Sequence, residues 1–412
     1  MRKMLLAVVL VTAACAGSAD PEPTGPPEDR PTTTQPEGGV PPTPLKPAYG
    51  ADGNRVAPFP ASYDPDPAET MQLIDSEIAR IDLPTADTIA VGYESGELRI
   101  VDGTGAMKVR SLTAPTGLVY TDGPAGVDVQ PPLPDQAVHG RPAVLDEGRL
   151  AYVTGAGDVV LWDGSEIART AVDALPDGDV LVDEAGRLLV LTGPTERYAH
   201  GILGDATEAT GFVVLAPPDL IIVGGGTVAN PAVVEGRRAI WTDMNGDGSR
   251  EVQLTVSRAG DGAALVVMNE AGDEVGESQP IGLSNRWRHQ IAFGGFSTTP
   301  SGVEVITPHI GGTVTFRSFG DELERISSIS RYTSHGIGSR ELDMGVAIDI
   351  DDDGFLELVL PTQDRRSLVA IGLASGEAKV EWRADLASPV TSNVAVGVHD
   401  GLPTIAVGTR TG

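Results

Sequence analysis

The chain has 412 residues, 58 acidic against 29 basic, with a formal net charge of -29 at pH 7. That field excludes nucleic acid and anionic membrane surfaces as partners and favours dissolved cations. Aromatic residues make up only 4% and there is one cysteine, so the core must rest on Val, Leu, Ile and Ala, and no disulfide closes within one copy.

At the N-terminus, Arg2 and Lys3 precede an apolar run from Met4 to Val11, followed by Thr12-Ala13-Ala14-Cys15. The run is too short for a membrane-spanning helix, and small residues follow it as a signal cleavage site requires. These four residues resemble the lipobox of bacterial lipoproteins, with Thr12 in place of the more usual Leu. The resemblance implies a lipoprotein signal over 1–15, lipidation (palmitate) at Cys15, and attachment to a bacterial membrane through a lipid anchor only. The chain would then sit outside the cytoplasm, on the cell surface or periplasmic side. The alternative is simple secretion, with Ala14-Cys15-Ala16 as the cleavage motif.

Residues 17–50 are dense in Pro, Thr, Gly and Glu and nearly free of apolar side chains. Such a stretch cannot bury a core, so 16–66 is read as a disordered Pro-rich stalk. At ~3.1 Å per residue, some thirty residues reach on the order of 90 Å.

Residues 67–412 repeat a unit of short apolar strands separated by Gly/Asp turns. Thr88–Gly92 leads into Leu98–Asp102, and Leu150–Val153 into Val159–Asp163; related strands stand at Leu188–Leu191, Val252–Val256, Val303–Ile306, Leu356–Leu360 and Thr404–Val407. Seven units at a period of roughly 40–60 residues predict an all-β fold, a β-propeller of about seven four-stranded blades. The last unit ends without outer strands. An unpaired edge is costly, so Met71–Asp75 and Ile78–Ile81 are expected to complete it and bring Leu73 beside Val407. The rival is that Ile78–Leu83 forms the inner strand of the first blade.

Two acidic loops carry the sharpest chemistry, Asp243 to Glu251 and Asp349 to Glu357. Each places oxygen side chains at positions 1, 3, 5 and 9 and glycine at position 6. Calcium needs several oxygens around one point, and alternate residues of a tight loop supply them. One ion would take Asp243, Asn245, Asp247 and Glu251 with the Ser249 carbonyl; the other Asp349, Asp351, Asp353 and Glu357 with the Phe355 carbonyl. Asp352 should point to solvent. An EF-hand needs Glu at position 12, where Leu254 and Leu360 stand, and the flanks read as strands. An ordinary Asx-type turn is the bland alternative, but two matches in one strand context argue against it. Both loops look like the FG-GAP (VCBS-type) repeats of integrin-alpha-like propellers, which implies calcium between the first two strands of a blade. Ser367–Ile371 through Ala374-Ser375-Gly376-Glu377 to Trp382-Arg383, with Pro389–Val396, resembles pyrroloquinoline-quinone-type propeller repeats.

Strand order sorts the loops onto two faces. His139, His289 and His335 fall before first strands, and His200 and His309 between second and third strands, all opposite the calcium loops. Arg286, Arg288 and Arg340 accompany them, as do glycines in Pro308–Gly312 and Ser334–Gly338. These histidines are candidates for a ligand site, a transition metal or acid–base chemistry; the plainer reading makes them loop residues that bond neighbouring blades. No haem motif, phosphate-binding glycine motif or Gly-x-Ser-x-Gly elbow appears. The sequence therefore favours a monomeric binding or scaffold protein for protein or carbohydrate ligands. A propeller enzyme, a polysaccharide lyase or hydrolase using the His/Arg face, is the alternative.

Overall fold

The computed structural model describes residues 52–57, 78–85, 88–93, 97–102, 107–111, 120–123, 126–129, 132–282, 285–399 and 402–410. Cys15, the export signal, most of the stalk and Leu73 lie outside them. The described residues form an all-β propeller of six four-stranded blades, spanning 78–111, 143–171, 181–227, 233–277, 288–330 and 346–385. Within each blade the strands follow chain order and pair antiparallel. The fourth blade's first strand comes in two pieces, Val233–Val234 and Ile240–Thr242, both paired with Glu251–Arg258.

The expectation of about seven blades is corrected to six. Six of the seven apolar units are the second strands of these six sheets. The seventh, Thr404–Val407, belongs to a two-stranded hairpin of Val390–His399 and Leu402–Thr409. Apolar pattern marks a buried strand but not how many partners it has, so counting such strands overcounts the blades. The hairpin shares a core with the sixth blade through Val394, Val407, Ile348 and Val359. Its Asn393 side chain accepts from the Ile81 amide at 2.9 Å and donates to the Ile81 carbonyl at 2.7 Å. Ile78–Thr85 is itself the first strand of the first blade, so the rival reading of 78–83 holds and those residues do not extend the last unit.

The second and third strands are apolar almost throughout because blades stack on both of their faces. Leu189, Phe212 and Val214 of the third blade meet Trp241, Leu254, Val256 and Met268 of the fourth. Each such fully buried side chain contributes roughly 1.5–3 kcal/mol. Outer strands such as Glu166–Ala171 and Arg325–Ser330 alternate instead, with one face in solvent. Gly224-Gly225-Gly226 serves this stacking: a Cβ on Gly226 would stand 2.7 Å from the Gly272 Cα of the next blade.

Asp52–Ala57 fall inside the stretch read as stalk, yet they lie along the first strands of three blades. The Trp241 amide donates to Asp52 O at 2.9 Å, the Arg55 amide to Ile291 O at 3.2 Å, and the Ala57 amide to Ala347 O at 2.9 Å. Asn54 brackets Phe293, accepting from its amide and donating to its carbonyl, both at 2.9 Å. Gly53 makes the approach possible. Its φ is +76°, and a Cβ there would lie 2.0 Å from Ala239 O.

Candidate functional site

The two acidic loops occupy the same place in their blades, between first and second strands: one joins Ile240–Thr242 to Glu251–Arg258, the other Val346–Ile348 to Glu357–Pro361. Strands therefore flank both. Several of their hydrogen bonds match position by position. The position-6 amides of Gly248 and Gly354 donate to Asp243 Oδ2 and Asp349 Oδ2 at 2.9 and 3.0 Å. The amides of Ser249 and Phe355 donate to Asp247 Oδ1 and Asp353 Oδ1 at 2.7 and 2.8 Å. Met244 and Ile350, at position 2, and Glu251 and Glu357, at position 9, are buried, which pins each loop to the core, while the side chains at positions 3 and 5 are exposed.

They differ at position 3. Asn245 Nδ2 donates to Asp247 Oδ2 at 3.1 Å and to Glu251 Oε1 at 2.9 Å, so an amide hydrogen serves those oxygens. Asp351 has no such hydrogen. Glu357 Oε1 is consequently buried with no hydrogen-bond partner, and Asp349 Oδ1 is bare as well, whereas its counterpart Asp243 Oδ1 accepts from the Gly246 amide at 2.7 Å. Ligand oxygens of Asp349, Asp351 and Asp353 all lie within 4.8 Å of one another. Burial pushes the Glu357 carboxyl up to about 8, with repulsion from Asp351, Glu381 and Asp353 adding to it; Asp351 is raised for similar reasons. Glu381, on the outer strand Lys379–Asp385, is an acidic neighbour that the loop spacing did not reveal. Asp352 is exposed, at φ +63°. The chemistry of the donor set fits a hard divalent cation, which supplies positive charge to oxygens the protein leaves bare.

On the opposite face the structure brings together His289, His309 and His335 around Trp287, with His200 packed edge-on against Tyr198. The Trp287 ring stacks on His289 at 4.8 Å and on His309 at 6.5 Å between centroids, and His335 stands edge-on at 5.0 Å. His335 Nδ1 lies 3.3 Å from His309 Nε2, and His335 Nε2 donates to Ser339 O at 2.8 Å. His289 is the second residue of its strand rather than of the preceding loop, and its Nδ1 meets Ser334 Oγ at 2.7 Å. His200 Nδ1 is hydrogen-bonded to Glu235, a wholly buried carboxylate that also accepts from Ser257 Oγ and caps Trp287 through its backbone carbonyl at 3.0 Å. Burial pulls His309 down to about 4 and His335 down to about 3, so both rings are neutral at pH 7.

The remaining candidates are dispersed. His139 stands apart, its carbonyl taken by Arg237 at 2.9 Å. Arg340 pairs with Asp205 at 2.7 Å and Asp177 at 3.4 Å. Arg286 is exposed. Arg288 is buried in a bidentate pair with Glu304 at 2.7 and 2.6 Å, a packing role away from the histidines.

Sequence reasoning missed a third constellation beside the first strands. Asp343 receives Arg141 at 2.9 Å, Arg55 at 3.4 Å, Arg80 at 3.7 Å and a short hydrogen bond from Arg238. Burial would raise its carboxyl, but the four guanidinium groups hold it well below the usual range. Glu341 accepts from Arg80 at 2.8 Å and Arg141 at 2.9 Å, which spreads the charge. The network ties the docked N-terminal strip to the first and fourth blades and to the connections that precede the second and sixth.

No family model matches the chain, and no curated protein matches it. Among solved structures, it is similar to the quinohemoprotein alcohol dehydrogenase from Comamonas testosteroni at 11% identity, over 79% of this chain and 70% of that one, with a TM-score of 0.49. A structure of BBS1N in complex with ARL6DN aligns at 10% identity over 90% of this chain and 95% of that one, with a TM-score of 0.47. BamB from Moraxella catarrhalis aligns at 12% identity over 79% and 80%, with a TM-score of 0.36. These likenesses are too loose to carry function; the propeller assignment rests on the six sheets themselves.

Proposed function

We propose that this chain is a calcium-binding, non-catalytic propeller held outside the cytoplasm by a lipid on Cys15, acting as a monomeric binding or scaffold protein for a protein or carbohydrate ligand. One observation carries the calcium reading: Asp349 Oδ1 and Glu357 Oε1 are buried without a partner beside the Asp349–Asp351–Asp353 trio. A native fold rarely leaves two carboxylate oxygens so, unless an ion or water serves them. The FG-GAP-like spacing and the matching hydrogen bonds extend the reading to the Asp243 loop, for two ions per chain. The net charge of -29 supports a solution of free cations, not nucleic acid, as the chain's natural surroundings.

Calorimetric titration of chelator-stripped protein tests this directly: two calcium ions per chain are expected, one after Glu357→Gln, and heat no different from buffer would end the calcium reading. The anchor is tested by Cys15→Ser, which should move the protein from the membrane to the soluble fraction.

A second reading, a propeller enzyme acting on polysaccharide, has one observation in its favour. Buried Glu235 orients the partly buried His200 ring as a carboxylate orients a general base. Loss of hydrolysis or elimination on a polysaccharide panel after His200→Gln would support it; no turnover by the parent chain would remove it.

A further inference from the structure

We propose that His309 and His335 form a transition-metal site on the face opposite the acidic loops, distinct from the calcium positions. The argument starts from their spacing. Imidazole nitrogens bind zinc at about 2.0–2.1 Å, and two such bonds at a tetrahedral angle place the nitrogens about 3.3–3.4 Å apart. His335 Nδ1 and His309 Nε2 are 3.3 Å apart.

The outer partners point the same way. A metal-bound imidazole is ordinarily fixed by a hydrogen bond from its other nitrogen to a carbonyl or carboxylate. Ser339 O accepts at 2.8 Å from His335 Nε2, and a carbonyl only accepts, so that nitrogen carries the proton and Nδ1 accepts a hydrogen bond from His309 Nε2, a bridging proton that the metal would replace as the His309 proton moves to its Nδ1. His200, whose charge is felt at His309, is held in the same manner by Glu235 through Nδ1. The Asp349 trio is, among the described residues, the one group of three such side chains already gathered within 4.8 Å. The histidine site is therefore a preformed pair, completed by water. Neutral imidazoles select zinc, copper or nickel over calcium. The positive field of Arg365 at both rings opposes a bare cation and favours one that carries an anionic ligand. The loops allow access: His309 is partly exposed and glycines at 311, 312, 336 and 338 flank the pair.

Trp287 supplies the readout, since its ring centroid lies 5.0 Å from His335 and 6.5 Å from His309. Copper(II) is titrated into the full chain with calcium saturating, so that the acidic loops are occupied. Tryptophan emission should fall saturably with one equivalent of copper, and zinc in large excess should reverse it. His309→Gln and His335→Gln should each weaken that binding at least about tenfold. Trp287→Phe should keep the copper, seen as nitrogen couplings in its electron paramagnetic resonance spectrum, while removing most of the quench. His335 is buried and its variant is checked for folding by melting temperature; His309, at the surface of the pair, decides if the other fails to fold. Absence of a saturable one-equivalent quench, or a quench unchanged in His309→Gln, overturns the proposal. The inference does not rest on the calcium reading, and either can fail alone.

Discussion

Glu357 takes the amide of Ile350 at 2.9 Å with one carboxylate oxygen and leaves the other buried and bare. Glu251 makes the same bond to Met244, at 2.7 Å, but its second oxygen is satisfied by Asn245. The pair of loops thus shares one backbone design and differs in how much uncompensated negative charge each stores. The Asp349 loop should hold its ion more tightly and suffer more without it.

Glu357→Gln separates stored repulsion from ion binding. Without calcium the variant loses a desolvated carboxylate that Asp351, Asp353 and Glu381 repel, so it should melt above the parent. With calcium at a hundred times its Kd, the parent gains about 2.7 kcal/mol at that site, on the order of 5 °C for a domain this large, and the order should invert. Melting curves in chelator and in millimolar calcium check this. A variant with the same offset in both conditions would show that the loop does not bind calcium.

The shared geometry of the two acidic loops was legible because each is confined to nine residues, and local spacing sets which side chains can face one point. The nearness of His309 and His335 was legible because antiparallel strand order dictates where each connection emerges, whereas His289 lies within a strand and His139 stands apart. The Asp343 network was not. Arg55 and Arg238 reach Asp343 from segments 288 and 105 residues away, and no local pattern marks an arginine as axial. The docking of Asp52–Ala57 was hidden for a similar reason: composition describes a stretch's ability to build its own core, not its ability to borrow the edge of another.

Gly53→Ala tests that docking. The new methyl group would meet Ala239 O at 2.0 Å from a backbone at positive φ, so the strip must lift or strain at a cost of roughly 1–3 kcal/mol. The expected outcome is a lower melting temperature together with faster proteolytic removal of everything before residue 58. An unchanged cleavage rate would mean the strip is held elsewhere.

Glu208 gives the pH prediction. It is buried, and desolvation, then repulsion from Glu235, Asp205 and Asp177, lifts its carboxyl from 4.5 to about 9. A folded-state value above the unfolded one means the native state binds the extra proton. The contribution of Glu208 to stability is complete below pH 4.5 and declines from there through about pH 9. Glu208→Gln mimics the neutral form and should flatten the fall in melting temperature between pH 5 and 9. If the slope is the same in parent and variant, the side chain is ionised in the fold.

Asp343→Asn carries the largest expected penalty. The carboxylate faces Arg55, Arg80, Arg141 and Arg238 while itself 3% exposed, and its amide analogue leaves those cations in low dielectric with less to oppose them. Removing one member of a buried ion pair costs about 3–5 kcal/mol. Glu341 and Asp179 retain part of the field, through Arg80, Arg141 and Arg238, so the lower end applies. Arg55→Met in the same background should recover stability, because it withdraws one of the uncompensated charges that the first change creates. Denaturant midpoints of the two single variants and the double variant measure the coupling. Strict additivity of the two losses would mean that Asp343 and Arg55 do not act on each other, and that the strip is held by its backbone bonds, the Asn54 side chain and the bonds from Arg55 to Gly345 O and Val394 O.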